Sequence, residues 1–380
     1  MKKFVIQKNS RNILKEKMKY KYIPDRVFID SEVLYHPITV RITNNLRKTP
    51  YEIVKNVKSF IKEFNFNYKN GKKYLLITKQ KGKFIKPCPG TPHYLCCNYY
   101  IINLTLNCPL DCTYCILQYY LNNPFMIIYA NIEDLFRELD SFLSPNKFYR
   151  IGTGELTDSL VFDHFTEFSK DLISYFANKN NTVFELKTKT TNIENLTKIN
   201  PNGKTVVAWS LNSDRIAKNE EINAPSNIER IKTAKKIISY GYKVGFHFDP
   251  IIFYPDWEKD YFKIVYNIFE NINAEYIAWI SLGTLRFPPR LKDIIQNRFP
   301  KTKIVYDEFI IGLDGKFRYF KTLRLKIYKK FANWIRELSN GKVFIYLCME
   351  SKEIWEKILG WNPKGKRELG DKLCKIMLAK

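Results

Sequence analysis

The chain has 380 residues, with 63 Lys or Arg against 38 Asp or Glu, which gives a formal net charge of +25 at pH 7. A hydrophobic fraction of 45% and an aromatic fraction of 15% exclude a disordered protein, because such a chain can bury a large core. No apolar run approaches the roughly 18–20 residues that span a bilayer, and the basic start lacks the apolar segment of a secretory signal. We therefore expect a cytoplasmic protein without a membrane anchor.

The chain before about residue 80 predicts a small α/β unit, in which Tyr51–Phe64 forms a helix. From Tyr99 onward, short β-branched and aromatic runs alternate with longer amphipathic ones, a pattern typical of a parallel sheet. Strands are predicted over Tyr99–Leu106, Phe148–Gly152, Val183–Lys187, Thr205–Ser210, Lys243–Phe248 and Glu275–Ser281. Helices are predicted over Asn131–Phe142, Asp163–Phe176, Ser226–Tyr240 and Trp257–Glu270, with Asp163 and Ser226 as N-caps and Gly241 near a C-cap.

The segment after Arg290 also contains predicted helices and a predicted strand. Its predicted elements are the helices Leu291–Arg298, Lys321–Leu338 and Lys352–Leu359 and the strand Lys342–Cys348. Six central strands are fewer than the eight of a closed barrel, so we expect an α/β fold with an open, partial (β/α)6 barrel. We divide it into an N-terminal α/β lead-in over 1–95, the barrel over 96–300 and a C-terminal α/β extension over 301–380. The carboxyl ends of the strands then share one edge, where active sites lie.

Six of the eight cysteines fall within Cys88–Cys115, which in an intracellular chain indicates metal or redox chemistry rather than disulfides. Cys108, Cys112 and Cys115 form a Cys-x3-Cys-x2-Cys loop just after the first barrel strand. Three thiolates on one loop can hold three irons of a [4Fe-4S] cluster and leave the fourth iron open. Zinc usually takes four protein ligands, or three and a water. The spacing therefore predicts an iron–sulfur cluster.

This motif, with Tyr114 before its last cysteine, resembles that of the radical S-adenosylmethionine enzymes. The rest of the barrel resembles their spore photoproduct lyase branch over most of residues 20–350. The resemblance implies that the open iron binds the amino and carboxylate groups of S-adenosylmethionine. Reductive cleavage would then give a 5′-deoxyadenosyl radical that abstracts a hydrogen atom. It also implies an external low-potential electron donor.

The resemblance and the chemistry of the cofactor together suggest its binding residues. By resemblance, Tyr114 lies beside the adenine and Lys189 meets the carboxylate. The remaining predicted contacts come from the ends of strands: Gly152, Gly154, Glu155, Thr157, Asp158, Ser210 and Asn212. Among these, a carboxylate would pair with the ammonium group, Ser210 or Asn212 would bond the hydroxyls, and the glycines would allow close approach of the backbone. The alternatives are a surface lysine at 189 and a helix-terminal carboxylate at 155.

Two positions depart from the family pattern. The family carries a hydrogen-donating cysteine on the loop after the second strand, where this chain has Glu155. The family also has a tyrosine directly after the third cluster cysteine, where this chain has Ile116. We therefore expect the same formation of the 5′-deoxyadenosyl radical but different later steps of the reaction. The candidates for the catalytic residue are Tyr114, Glu155, Cys96 and Cys97. Cys348 is a further possible hydrogen donor, and each of these cysteines has a buried structural role as its alternative.

Two other constellations stand near the predicted site. Cys88, His93, Cys96 and Cys97 offer the ligands of a metal knuckle, although at no standard spacing. His247 and Asp249 lie two apart on the fifth strand and so face the same side. His247 and Asp249 are therefore predicted to bind cofactor or substrate. The alternative is a hydrogen bond between the two side chains that orders the loop.

The charge favours a DNA or nucleotide substrate, because phosphates bind a basic surface. The segments Gly283–Arg290 and Lys316–Lys321 interleave basic and aromatic residues, as nucleic-acid sites do. One alternative is a radical enzyme for a small molecule or peptide, with a compositional Lys excess. The other is a non-catalytic iron–sulfur protein that binds nucleic acid. The oligomeric state stays open.

Overall fold

The computed structural model describes residues 21–64 and 71–378. Its strands are β1 (Arg26–Asp30), β2 (Tyr51–Val54), β3 (Tyr74–Thr78), β4 (Ile85–Pro87), β5 (Tyr99–Ile102), β6 (Thr105–Leu106), β7 (Met126–Tyr129), β8 (Tyr149–Gly152), β9 (Thr182–Thr188), β10 (Thr205–Ser210), β11 (Lys243–Ile251), β12 (Ile277–Thr284), β13 (Arg286–Phe287), β14 (Ile310–Ile311), β15 (Phe317–Arg318) and β16 (Ile345–Leu347).

The described helices alternate with these strands over most of the chain. They are α1 (Pro37–Asn45), α2 (Val57–Glu63), α3 (Leu117–Tyr120), α4 (Ile132–Phe142), α5 (Asp163–Thr166), α6 (Phe168–Phe176), α7 (Asp214–Glu220), α8 (Asn227–Ile238), α9 (Trp257–Asn271), α10 (Pro289–Arg298), α11 (Lys321–Ser339), α12 (Lys352–Leu359) and α13 (Lys366–Leu378). Within the described part of the chain, no helix has the length and apolarity needed to cross a bilayer.

The main sheet has eight strands in the order β16-β12-β11-β10-β9-β8-β5-β4. All neighbours pair in parallel except β4, which is antiparallel to β5. The predicted partial barrel is confirmed, with β16 and β4 added at its two edges. Buried residues dominate the strands, as expected for a parallel sheet that is covered by helices.

A second sheet of five strands, in the order β2-β1-β3-β7-β6, stands beside the barrel. The strand predicted over Tyr99–Leu106 is divided between the two sheets, because β5 pairs with β8 whereas β6 pairs with β7. Each of these two sheets therefore contains strands from both sides of the predicted domain boundary at residue 95. A third sheet, β13-β15-β14, is a small antiparallel one beside the barrel opening.

Two predicted helices are wrong in detail. Tyr51–Phe64 is a strand followed by a helix, because Asn56 caps α2 by accepting a hydrogen bond from the Ser59 N–H at 3.0 Å. Asp163–Phe176 is two helices that are interrupted at Glu167, which has a φ of 56°. The predicted cap at Ser226 is confirmed and forms a capping box with Glu229.

The two edges of the main sheet approach each other. An antiparallel bridge joins Leu95, just before β5, to Glu350, just after β16, and the Leu95 N–H donates to the Glu350 carbonyl at 2.9 Å. The last helix, α13, which the sequence analysis missed, contacts β8, β9 and β12. The C-terminal segment is therefore part of the barrel wall and supports it.

Candidate active site at the mouth of the half-barrel

The loop Cys108–Cys115 follows β6 and is held from both sides. The Lys72 ammonium donates to the Cys108 carbonyl at 2.9 Å and to Asp111 Oδ1 at 2.6 Å, and Arg298 binds Asp111 at 3.0 Å. Burial acts to raise the pKa of Asp111, but the two cations outweigh it, so that pKa lies below its usual value. Asp111 also has a φ of 53°, which turns the loop. These contacts fix the backbone that presents the three thiols.

The three cysteines of this loop are close enough to influence one another electrostatically. Burial raises the pKa of Cys108 to about 12, with Asp158 and Cys115 acting in the same direction. Burial likewise raises the pKa of Cys112 well above its usual value, and Cys115 and Cys108 contribute. Such thiols gain most from a bound cation, because a metal ion favours the deprotonated form.

No three His, Cys, Asp or Glu side chains among the described residues can share one metal ion. The metal-knuckle interpretation of Cys88, His93, Cys96 and Cys97 therefore stays a prediction without support from the described residues. The same finding does not bear against a cubane, because each cysteine of a [4Fe-4S] site binds a different iron and the ligands stand further apart. Three coupled thiols on one anchored loop fit this group as a donor set.

Beside the loop, Tyr114 and Lys189 meet at a glutamate that the sequence analysis missed. The Tyr114 hydroxyl donates to Glu221 Oε1, and the Lys189 ammonium lies 3.5 Å from the same oxygen. Glu221 Oε2 accepts from Arg230 at 2.5 Å, and both side chains of this pair are fully buried. Burial would raise the pKa of Glu221, but Arg230 and Lys189 lower it to about 2. The backbone of Glu221 also forms an antiparallel β-bridge with that of Cys112. Glu221 therefore joins the cluster loop to Tyr114 and Lys189, the two predicted cofactor contacts.

Asp158 fixes the backbone that carries Lys189. Its carboxylate accepts hydrogen bonds from the Lys189 N–H at 2.6 Å, the Thr188 hydroxyl at 2.8 Å and the Leu160 N–H at 3.0 Å. Burial raises the pKa of Asp158 despite these bonds. Thr157 is buried and donates its hydroxyl to the Asp158 carbonyl at 3.4 Å. The pair therefore orders the ends of β8 and β9 and positions Lys189.

The glycines after β8 are required by neighbouring strands. A Cβ on Gly152 would lie 2.0 Å from the Tyr99 hydroxyl and 2.1 Å from the Glu185 carbonyl. A Cβ on Gly154 would lie 2.4 Å from that of Lys187. Close packing of neighbouring strands thus requires glycine at both positions, and their predicted contact with the cofactor stays a prediction.

The polar residues after β10 have different surroundings. Ser210 is partly buried, and its carbonyl accepts from Arg230 at 2.9 Å. Asn212 is 1% exposed, donates to the Pro250 carbonyl at 3.0 Å and accepts from the Tyr261 hydroxyl. Both the nitrogen and the oxygen of the Asn212 amide are hydrogen-bonded within the protein, so Asn212 connects the loop after β10 to Pro250 and Tyr261.

His247 and Asp249 do not act as one pair. His247 is buried between Ser281 at 2.5 Å and Glu185 at 2.9 Å, and burial lowers its pKa. Asp249 instead binds Arg286 through both oxygens, at 2.9 and 3.1 Å. The alternative of a His–Asp hydrogen bond is therefore wrong, because His247 belongs to an interior network and Asp249 binds Arg286. The cofactor or substrate role of the two residues stays a prediction.

That interior network crosses the half-barrel. Glu185 accepts from Arg150 at 2.6 Å, and the same guanidinium reaches the Tyr346 hydroxyl at 2.9 Å. The Arg150 guanidinium carbon lies 4.6 Å from the centre of the Trp279 ring. The network therefore ties β8 and β9 to β12 and to the edge strand β16.

Glu155, which follows β8, is near enough to Lys187, Cys88 and Tyr120 to influence all three electrostatically. Burial raises the pKa of Cys88 to about 12, and the Glu155 charge adds to this effect. Burial acts to lower the pKa of Lys187, but Glu185 and Glu155 raise it above its usual value. The Tyr120 side chain is half exposed, and Glu155 contributes, after burial, to raising its pKa. We call the region of Glu155, Lys187, Cys88 and Tyr120 the mouth.

The predicted basic segments are largely paired within the protein. Arg286 binds Asp249, and Arg318 binds Asp314 at 2.7 and 3.1 Å while stacking 4.1 Å from the Tyr94 ring centre. Arg318 is buried, so its charge is neutralised by Asp314 within the protein. Lys316 is partly buried, and burial together with Arg286 and Arg318 lowers its pKa.

A family model described as spore photoproduct lyase matches residues 22–336. The chain belongs to the spore photoproduct lyase family. It is thus an enzyme of the radical S-adenosylmethionine class. The spore photoproduct lyase of Bacillus subtilis is 26% identical over 309 residues, covering 77% of this chain and 86% of the relative. That of Clostridium acetobutylicum is 24% identical over 340 residues, covering 85% and 98%.

The fold is shared with solved structures of spore photoproduct lyase. A double mutant with bound AdoMet and dinucleoside spore photoproduct superimposes with a TM-score of 0.77 at 22% identity, covering 86% of this chain and 100% of that one. A complex with dinucleoside spore photoproduct gives a TM-score of 0.75.

Proposed function

We propose that this protein is a radical S-adenosylmethionine lyase that acts on a nucleic-acid or nucleotide substrate in a repair-type reaction. Cys108, Cys112 and Cys115 would hold a [4Fe-4S] cluster with one open iron. When bound, cluster and cofactor together supply a 5′-deoxyadenosyl radical that removes a hydrogen atom from the substrate. The observation that carries the proposal is the anchored three-thiol loop, bridged to Glu221 beside Tyr114 and Lys189, in a chain of this family.

The chain's own residues would bind and orient the cofactor. Lys189 provides a cation for a carboxylate, and its backbone is fixed by Asp158. Tyr114 provides a flat aromatic side chain, and its hydroxyl is held by Glu221. Since Glu221 is already neutralised by Arg230, its contact with Lys189 at 3.5 Å leaves the lysine able to pair with a second anion. An external one-electron donor would complete the system.

A nucleotide substrate is supported by the charge and by the mouth. The net charge of +25 favours phosphates. Lys187 and Lys316 are partly buried cations near the opening, and Tyr120 presents an exposed aromatic ring on which a base can stack. In solved relatives the bound ligand is a dinucleoside spore photoproduct. We therefore propose a thymine-derived dinucleotide lesion as the first substrate to test.

The second half of the reaction would differ from the family pattern. Glu155, rather than a cysteine, stands on the loop after β8, and a carboxylate does not readily give up a hydrogen atom. At the mouth the Glu155 charge lies beside Lys187 and Cys88. We infer that a thiol from another element would complete the reaction.

The test is anaerobic reconstitution with iron and sulfide, reduction by dithionite and measurement of 5′-deoxyadenosine. Wild type should form it, and Cys112→Ala should form none and lose the visible absorption of the cluster. Cys374→Ala, a buried cysteine on α13, is the matched control and should retain both. Formation of 5′-deoxyadenosine by Cys112→Ala, or none by reconstituted wild type, would contradict the proposal.

A further inference from the structure

Four thiols outside the cluster loop gather where the two edges of the main sheet approach each other. They are Cys88, Cys96, Cys97 and Cys348, and each is partly exposed. The Leu95–Glu350 bridge brings the segment before β5 next to the segment after β16. As a result, Cys97 and Cys96 both lie close enough to Cys348 to raise the pKa of that thiol, after burial and Asp249. Cys97 likewise influences Cys88.

Cys348 is the member of this group that is held by charged side chains. Its backbone N–H donates to the Leu282 carbonyl at 2.8 Å, which places it at the carboxyl edge of the sheet beside β12. Its sulfur lies 3.5 Å from Arg286 Nη2. The thiol also hydrogen-bonds Asp249, whose two oxygens bind Arg286. Sulfur, carboxylate and guanidinium thus form one array across the ends of β11, β12 and β16.

We propose that Cys348 is the catalytic thiol that returns a hydrogen atom to the substrate radical, with Asp249 and Arg286 as its positioning residues. This inference rests on the proposed function. In the step, the S–H bond breaks and a C–H bond forms at the carbon radical. One hydrogen atom moves, no net charge moves, and the unpaired electron passes to sulfur.

The array keeps Cys348 in the form that such a step needs. Only a thiol, and not a thiolate, has a hydrogen atom to give. Burial and the Asp249 charge raise the pKa of Cys348 far enough that the S–H bond persists at neutral pH, although Arg286 acts in the opposite direction. An S–H bond is weaker than the C–H bond of a saturated carbon, so transfer to a carbon radical is favourable.

The other three thiols are less suited to this role. The Cys96 sulfur packs against Gly90, where a Cβ would come within 2.8 Å of it. The Cys97 thiol lies near Arg150 and Tyr346 of the interior network. Cys88 lies beside Glu155, on the segment that leads away from β4. Cys348 also lies beyond the residues 22–336 that the family model matches, so the family pattern could not have indicated it.

The test compares wild type with Cys348→Ser, because serine keeps the hydrogen bonds but its O–H bond is too strong to donate. The matched controls are Cys96→Ser and Cys97→Ser. Reconstituted proteins in D2O are given dinucleoside spore photoproduct, and 5′-deoxyadenosine and deuterium in the repaired product are measured. Cys348→Ser should lower deuterated product by at least about tenfold while 5′-deoxyadenosine stays within about twofold of wild type. The two controls should keep wild-type amounts of 5′-deoxyadenosine and of deuterated product.

Wild-type yield of deuterated product from Cys348→Ser, or its loss in a control variant alone, would overturn the proposal. A second readout does not depend on turnover: alkylation of Cys348 by iodoacetamide, followed by peptide mass spectrometry of the full chain. It should be slow at pH 8 and faster in Asp249→Asn, whereas an ordinary cysteine rate in wild type would overturn the proposal. If wild type forms no 5′-deoxyadenosine, the proposed function fails, and the hydrogen-donor role of Cys348, which rests on it, fails with it.

Discussion

Replacing Glu221 with Gln should destabilise the protein more than the same change at its neighbour Glu220. Glu221 faces two cations, Arg230 at 2.5 Å and Lys189 at 3.5 Å. Lowering a carboxyl pKa from 4.5 to about 2 corresponds to about 3 kcal/mol of folded-state stabilisation. Removing the charge also leaves Arg230 buried and unpaired, which typically costs about 3–5 kcal/mol. We therefore expect a loss of about 3–5 kcal/mol in the free energy of unfolding.

Glu220 is the matched control because, within the described residues, its carboxylate accepts hydrogen bonds from two hydroxyl groups and no cation, Thr113 at 2.5 Å and Thr302 at 2.7 Å. A Gln there can still accept both bonds, so a loss of about 0.5–1.5 kcal/mol is expected. Urea unfolding followed by circular dichroism at pH 7 measures both variants. Equal destabilisation by the two changes would refute the assignment of a buried ion pair to Glu221.

The pH dependence provides an independent check on the same residue. A carboxyl with a lowered pKa contributes stability that is fully present above its unfolded pKa, here 4.5, and is lost as the pH falls toward about 2. The wild type should therefore lose this contribution over that interval. Glu221→Gln should lack it, so the gap between the two proteins should narrow as the pH falls below 4.5.

Two further predictions concern packing and binding. Gly152→Ala should prevent stable folding, because its Cβ would meet the Tyr99 hydroxyl at 2.0 Å, whereas Gly365→Ala, with open space around it, should unfold at the wild-type urea midpoint. A normal midpoint for Gly152→Ala would contradict the close packing of β8. Binding to duplex DNA, followed by fluorescence anisotropy, should weaken steeply with added salt, because cationic contacts release counterions from DNA. A flat salt response would remove the nucleic-acid substrate from the proposal.

The sequence predicted the central strands because each is a short β-branched or aromatic run that ends in polar residues. It also predicted the three-thiol loop, since the spacing of Cys108, Cys112 and Cys115 is a local property. The N-terminal error has a local cause too. The apolar spacing of Tyr51–Phe64 fits a helix, but Asn56 begins the helix later and Tyr51–Val54 joins β1 in a sheet. Pairing across sequence distance overrode the local periodicity.

Long-range pairing also explains what was misread at the site. Arg286 and Arg318 look like phosphate contacts in sequence, but their partners Asp249 and Asp314 become visible only in the fold. Glu221 carries no motif, and its importance comes from meeting Tyr114 and Arg230 in space. Charged residues therefore indicate a site only when their burial and partners are known.

Glu155 and Asp249 have the same effect on the thiols beside them. Glu155 raises the pKa of Cys88, and Asp249 raises that of Cys348, each adding to burial. A carboxylate beside a buried thiol disfavours the thiolate, because two negative charges would share a poorly hydrated space. A site built for nucleophilic thiol chemistry would instead place cations alone beside its cysteine. Under the proposed function, Glu155 in place of the family's cysteine would therefore favour neighbouring thiols that stay protonated and can transfer hydrogen atoms.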